Sequence, residues 1–138
     1  MSVVVGFDES PGAVRALTVA IEMSAAFDEP LVLVYGAAAP GSVGEEYVAH
    51  QDAVREAGHH ALDRAVRVAE EAGVRTTVEL IDQKPAPALI DAASRHAARL
   101  IVVGTWGESP VRGALLGSTP HKLLHLSSVP VLCVPTET

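Results

Sequence analysis

From residue 104 to residue 120 the sequence reads GTWGESPVRGALLGSTP, so that Gly104, Gly107, Gly113 and Gly117 are followed at once by Ser118, Thr119 and a proline. These residue types suit an anion. Glycines let backbone amides approach closely, Ser118 and Thr119 offer hydroxyls, and a helix opening at Pro120 presents unpaired N–H groups at the positive end of its dipole. The stretch is therefore a phosphate cradle in outline, although a glycine-rich loop that only reverses the chain and caps a helix would use the same residues. Near the other end of the chain stands Asp8, just after an apolar run, where a dinucleotide-binding fold carries its glycine fingerprint. A carboxylate there repels phosphate but accepts hydrogen bonds from ribose hydroxyls or an adenine amino group. Its alternative role is that of a residue leading into a helix, ahead of Ser10 and Pro11.

Five runs rich in Val, Leu and Ile must position these residues: Ser2–Phe7, Leu31–Tyr35, Val74–Ile81, Arg99–Gly104 and Val129–Val134. Helical patterns separate them. Ser10 caps a first helix with Pro11 at its first position and Val14, Leu17, Ile21 and Ser24 at helical spacing. A second, from about Glu45 to Ala72, carries Val54, Gly58, Ala61, Ala65, Val68 and Ala72 and is stopped by Gly73. A third starts near Pro87 with Leu89, Ile90, Ala93 and Ala97, and a fourth near Pro120 with Leu123, Leu124 and Leu126. Strands alternating with helices mean βαβ units and a parallel sheet. VVVGF, LVLVY and LIVVG are apolar on both faces, as central strands are, whereas TTVELI alternates and VPVLCVP holds prolines that cannot donate to two neighbours. The expected fold is an open, five-stranded, mostly parallel α/β sheet in spatial order 3-2-1-4-5, Rossmann-like, with helices on both faces. In that order the topological switch point lies between the first and fourth runs, and a ligand belongs above their carboxyl ends. The Gly/Pro-punctuated stretch Ala37–Gly44 is expected to be a loop over the same end.

Gly104-x2-Gly107-x9-Gly117-Ser118 resembles the G-x2-G-x9-G-[S/T] nucleotide signature of the ATP-binding branch of the universal stress protein family. The start VGFDES, the run RLIVVGT and the closing SSVPVLCVP resemble the same family, so the likeness spans essentially the whole chain. The resemblance implies that Asp8 and the backbone near Gly6 and Phe7 meet adenosine. It also implies that Gly36 lies along the adenine, that Val103 and Gly104 flank the ribose, and that Gly107, Gly117, Ser118 and Thr119 hold the phosphates. The implied cofactor is ATP, or AMP or ADP, with Mg²⁺ where a polyphosphate needs it; the implied assembly is a homodimer through the last strand, an apolar edge that a second chain would cover. Three residues depart from the pattern: Trp106 stands where the family often has His or Arg, Glu108 where a basic residue is frequent, and Gln83 where glycine is common. A carboxylate at Glu108 costs polyphosphate affinity unless Mg²⁺ or Arg112 offsets it, which weakens ATP or favours AMP or ADP.

The remaining composition narrows the alternatives. At 138 residues, 49% apolar and 4% aromatic, the chain suits one domain over residues 1–138 with a small-residue core. A formal charge of -7 argues against nucleic acid or an anionic membrane surface as partner. No run reaches the roughly 18 apolar residues of a membrane span, MSVVVGFDES lacks signal-peptide features, and the lone Cys133 sits in an apolar run, all of which point to a cytoplasmic setting. His121 and His125, four apart, lack a third ligand in sequence, and adjacent His59 and His60 face different ways on a helix. No nucleophile has an obvious base, and neither an SGGxDS-like loop nor a GxxxxGK[ST] loop is present. Taken with these exclusions, the resemblance implies an ATP-binding stress-response or regulatory protein without catalytic residues. A slow ATPase and a nucleotide-free interaction module are the competing classes.

Overall fold

A computed structural model describes residues 1–38, 45–105 and 116–136. The order of elements is β1 (Ser2–Gly6), α1 (Pro11–Phe27), β2 (Leu31–Gly36), α2 (Glu45–Glu71), β3 (Thr76–Ile81), α3 (Pro85–Arg95), β4 (Ala98–Gly104), α4 (Ser118–Leu126) and β5 (Val131–Val134). The strands form one sheet in the order β3-β2-β1-β4-β5, and every pairing is parallel. Alternate side chains of the central strand serve opposite faces. Val3 and Val5 pack with Leu17, Ile21, Ala61, Leu62 and Ala65 of α1 and α2. Val4 packs with Val32, Val34, Leu89, Ala92, Ile101 and Leu123, which puts α3 and α4 on the other side.

Local chemistry explains where the helices begin and end. The Ser10 side chain accepts from Ala13 N–H and Pro11 follows it, which opens α1; Asp28 in the left-handed region (φ 54°) closes it. Gly73, at φ +77°, ends α2. The buried stripe of α1 is made of small residues, Gly12, Ala13, Ala16 and Ala20, with Leu17 and Ile21. Such a stripe lets the helix lie close on the sheet, and a Cβ at Gly104 would come within 2.7 Å of the Gly12 carbonyl carbon.

Several expected positions shift. Val14 is half exposed, because the tight seat of α1 turns Gly12, Ala13 and Ala16 inward instead. On α2 the inward row runs Gly58, Ala61, Leu62, Ala65 and Ala69, and it leaves Val68 and Ala72 outside. α3 opens at Pro85 rather than Pro87 and stops before Ala97, which sits at φ 48°. α4 opens at Ser118, two residues before Pro120, and Leu124 and Leu126 are exposed. β3 and β5 begin at Thr76 and Val131, two residues later than expected in each case. No helix among the described residues is long and apolar enough to cross a membrane.

Candidate functional site

Three strands end beneath one cavity of about 290 Å3. β2 contributes Val34, Tyr35 and Gly36, and the opening turns of α3 close that side with Pro85 and Leu89. This end is largely apolar. Gly36 must be small here, since a Cβ would stand 2.8 Å from the Pro85 backbone. At the middle, β1 and the turn after it bring Gly6, Phe7, Asp8 and Ser10 to the cavity. Phe7 is itself buried in the core and its N–H donates to Val34 O at 3.0 Å, so its share of the wall is mostly backbone. The far end holds Val103 and Gly104 of β4 with Gly117, Ser118, Thr119 and Pro120 at the start of α4.

The far end is rich in donors. Gly117 N–H donates to Thr105 O at 2.7 Å, which ties the start of α4 to the end of β4. The first intrahelical bond then runs from His121 N–H to Gly117 O at 3.2 Å. Pro120 has no N–H, so the amides of Ser118 and Thr119 are the open donors of this first turn, and among the described residues no side chain caps it. None of the described lining residues is Lys or Arg. An anion here would be met by amides, hydroxyls and the α4 dipole.

Asp8 is held by its own turn. Its Oδ1 accepts from Ser10 N–H at 3.0 Å and from Ser10 Oγ–H at 2.6 Å, with Glu9 between them at φ 65°. Glu9 in turn pairs with Arg64 of α2, whose guanidinium holds the Glu9 carboxyl below its ordinary value. Asp8 therefore has the structural part expected of a residue leading into α1 and also borders the cavity.

Of the ten residues expected at a ligand, the structure brings Gly6, Phe7, Asp8, Gly36, Val103, Gly104, Gly117, Ser118 and Thr119 around this cavity. Gly107 lies outside the described residues, as do Trp106, Glu108, Arg112, Gly113 and most of the loop expected over Ala37–Gly44. Gly117 has φ −68° and ψ 170°, so its backbone is open to any residue and needs no left-handed conformation. Sequence reasoning missed Val34, Tyr35, Pro85 and Leu89, which reach the cavity through the packing of α3 on β2. His121 and His125 stack edge to face, 4.8 Å between ring centroids, on an exposed side of α4, and no metal-holding group of three ligands occurs among the described residues. At the β5 edge, burial pushes the Cys133 thiol up from its ordinary pKa.

Residues 1–135 match the Universal stress protein family. A universal stress protein of Thermus aquaticus is 32% identical over 139 residues, covering 96% of this chain and 97% of the relative. One from Mycobacterium tuberculosis is 35% identical over 96% of this chain, which spans only 47% of that relative's length. Among solved structures, a universal stress protein in complex with cAMP superposes with a TM-score of 0.74 at 29% identity, covering 99% of this chain and 98% of the other. By sequence over nearly its full length and by fold, the chain belongs to the universal stress protein family.

Proposed function

We propose that this chain is an adenine nucleotide-binding regulatory protein whose nucleotide lies across the carboxyl ends of β2, β1 and β4. The observation that carries this reading is the polarity of the cavity: an apolar slot at one end, a carboxylate at the middle and the amino terminus of α4 at the other. A flat base suits the slot formed by Tyr35, Gly36, Pro85 and Leu89; a ribose suits the middle, beside Gly6, Phe7, Asp8, Val103 and Gly104. The phosphate suits Gly117, Ser118 and Thr119, with Gly107 as a further contact carried over from the family signature. The relative solved with cAMP supports an adenine ligand with at least one phosphate. The ligand is ATP, AMP or ADP, with Mg²⁺ joining the longer phosphate chains.

Residues 1–138 form one domain in this reading, and a homodimer forms through β5, whose outer edge carries the partly buried Val131, Leu132 and Cys133. The setting is cytoplasmic, which suits the free Cys133. Mass spectrometry of small molecules released from the denatured, purified protein tests the ligand directly. An adenine nucleotide in stoichiometric amount supports the reading. No nucleotide released and none bound on titration would leave an interaction module instead.

A further inference from the structure

Ser10 is buried at 4% exposure and sits between a helix and a carboxylate. Its Oγ accepts from Ala13 N–H at 3.2 Å, which is the amino-terminal cap of α1. Its hydroxyl has one proton, and with Ala13 N–H occupying the acceptor side, that proton is directed to Asp8 Oδ1 at 2.6 Å. Ser10 N–H reaches the same oxygen at 3.0 Å. One residue thus places two donors on Oδ1, and among the described residues Oδ2 has no hydrogen-bond partner. Asp8 borders the cavity between its apolar end and the α4 amino terminus.

From this geometry we infer that Ser10 is a positioning residue: it fixes the Asp8 carboxylate so that Oδ2 stays available to accept from the ribose hydroxyls of the bound nucleotide. The inference rests on the nucleotide reading above and adds a specificity device to it. A carboxylate is acceptor-only, so it rewards a ligand with hydroxyl donors at this point and gains nothing from one that lacks them. Without the Ser10 hydroxyl, Oδ1 keeps only the backbone donor. The carboxylate is then free to rotate, and an oriented acceptor becomes a mobile one. The cap of α1 is lost in the same substitution, so a change in stability alone would not identify the role. The ratio between two ligands does.

The experiment titrates ADP and its dideoxy counterpart, in which hydrogen replaces both ribose hydroxyls, into five proteins, the parent and four variants, by calorimetry. A hydrogen bond to a charged group is worth about tenfold in affinity or more, so the parent is expected to prefer ADP by at least about tenfold. Ser10→Ala should cut that preference to within about threefold of unity, and Ser10→Thr, which keeps the hydroxyl, should retain it. Asp8→Asn should abolish it. Ala20→Gly, a mid-helix change on the buried face of α1 that destabilises the protein without touching Asp8, serves as the destabilised control and should keep the parental ratio. Ser10→Ala weakening both ligands equally with the ratio unchanged would overturn the inference and leave the nucleotide reading standing. A parent that binds neither ligand overturns both.

Discussion

Gly104 ends β4 at the rim of the cavity, and replacing it with alanine tests whether its smallness serves packing or only a ligand. The added Cβ would lie 2.7 Å from the Gly12 carbonyl carbon, 2.8 Å from its oxygen and 3.0 Å from its Cα. All three atoms are backbone, so no side chain can rotate out of the way, and α1 must lift from β4. Lifting it would disturb the contacts of Ala13, Ala16 and Leu17 in the same core. Overpacking of this kind costs about 1–3 kcal/mol, and the backbone contact argues for the upper part, about 2–3 kcal/mol. That is roughly a 30- to 150-fold loss in the ratio of folded to unfolded chain, or a fall of about 6–12 °C in Tm for a chain of this length. Gly6→Ala is the internal comparison, because its Cβ would meet first a Leu89 methyl at 3.1 Å, which can move; its cost should stay below about 1 kcal/mol. Urea unfolding without added nucleotide measures both. A Gly104→Ala protein within about 0.5 kcal/mol of the parent would refute the packing argument.

Ser24 is 1% exposed in α1 and its hydroxyl has no hydrogen-bond partner among the described residues, so Ser24→Ala should leave stability equal or raise it by about 1 kcal/mol in the same assay. Arg95 first, then His96, holds the Glu79 carboxyl below its ordinary value of 4.5. Because the folded value is the lower one, this contribution is present above about pH 4.5 and is lost as the pH falls through the folded value. Glu79→Gln should remove that part of the acid-side slope in thermal melts taken from neutral pH downward.

The sheet was legible because its strands differ in kind. Runs apolar on both faces mark β1, β2 and β4 as interior, and Pro130 and Pro135 confine β5 to an edge, which together dictate the strand order. The helix faces were less legible wherever packing is tight. On α1 the expected stripe takes in Val14 but not Gly12, Ala13 and Ala16, small residues that hydrophobic periodicity weights weakly; on α2 it finds Gly58, Ala61 and Ala65 but drifts to Val68 and Ala72, while Leu62 and Ala69 are the ones buried. At the cavity, sequence order gives the residues that leave a strand or open a helix. It does not give Pro85 and Leu89, whose position depends on how α3 settles on β2. The family resemblance puts Gly36 and Gly104 beside a ligand, yet each is also demanded by neighbouring backbone, a contact invisible before the chain is folded. The second bond of Ser10, to Asp8, is likewise a product of the turn at Glu9 and not of spacing alone.

An adenine nucleotide held at the amino terminus of α4 is probed most simply by Gly117→Val. The backbone at Gly117, φ −68° and ψ 170°, is extended and open to valine, so the substitution adds a side chain beside the open amides of Ser118 and Thr119 without backbone strain. Calorimetric titration of ATP into parent and variant, both shown to be folded by circular dichroism, is the measurement. The parent should bind saturably and the variant should show no measurable binding. A folded Gly117→Val protein that binds ATP as the parent does would contradict this placement of the nucleotide.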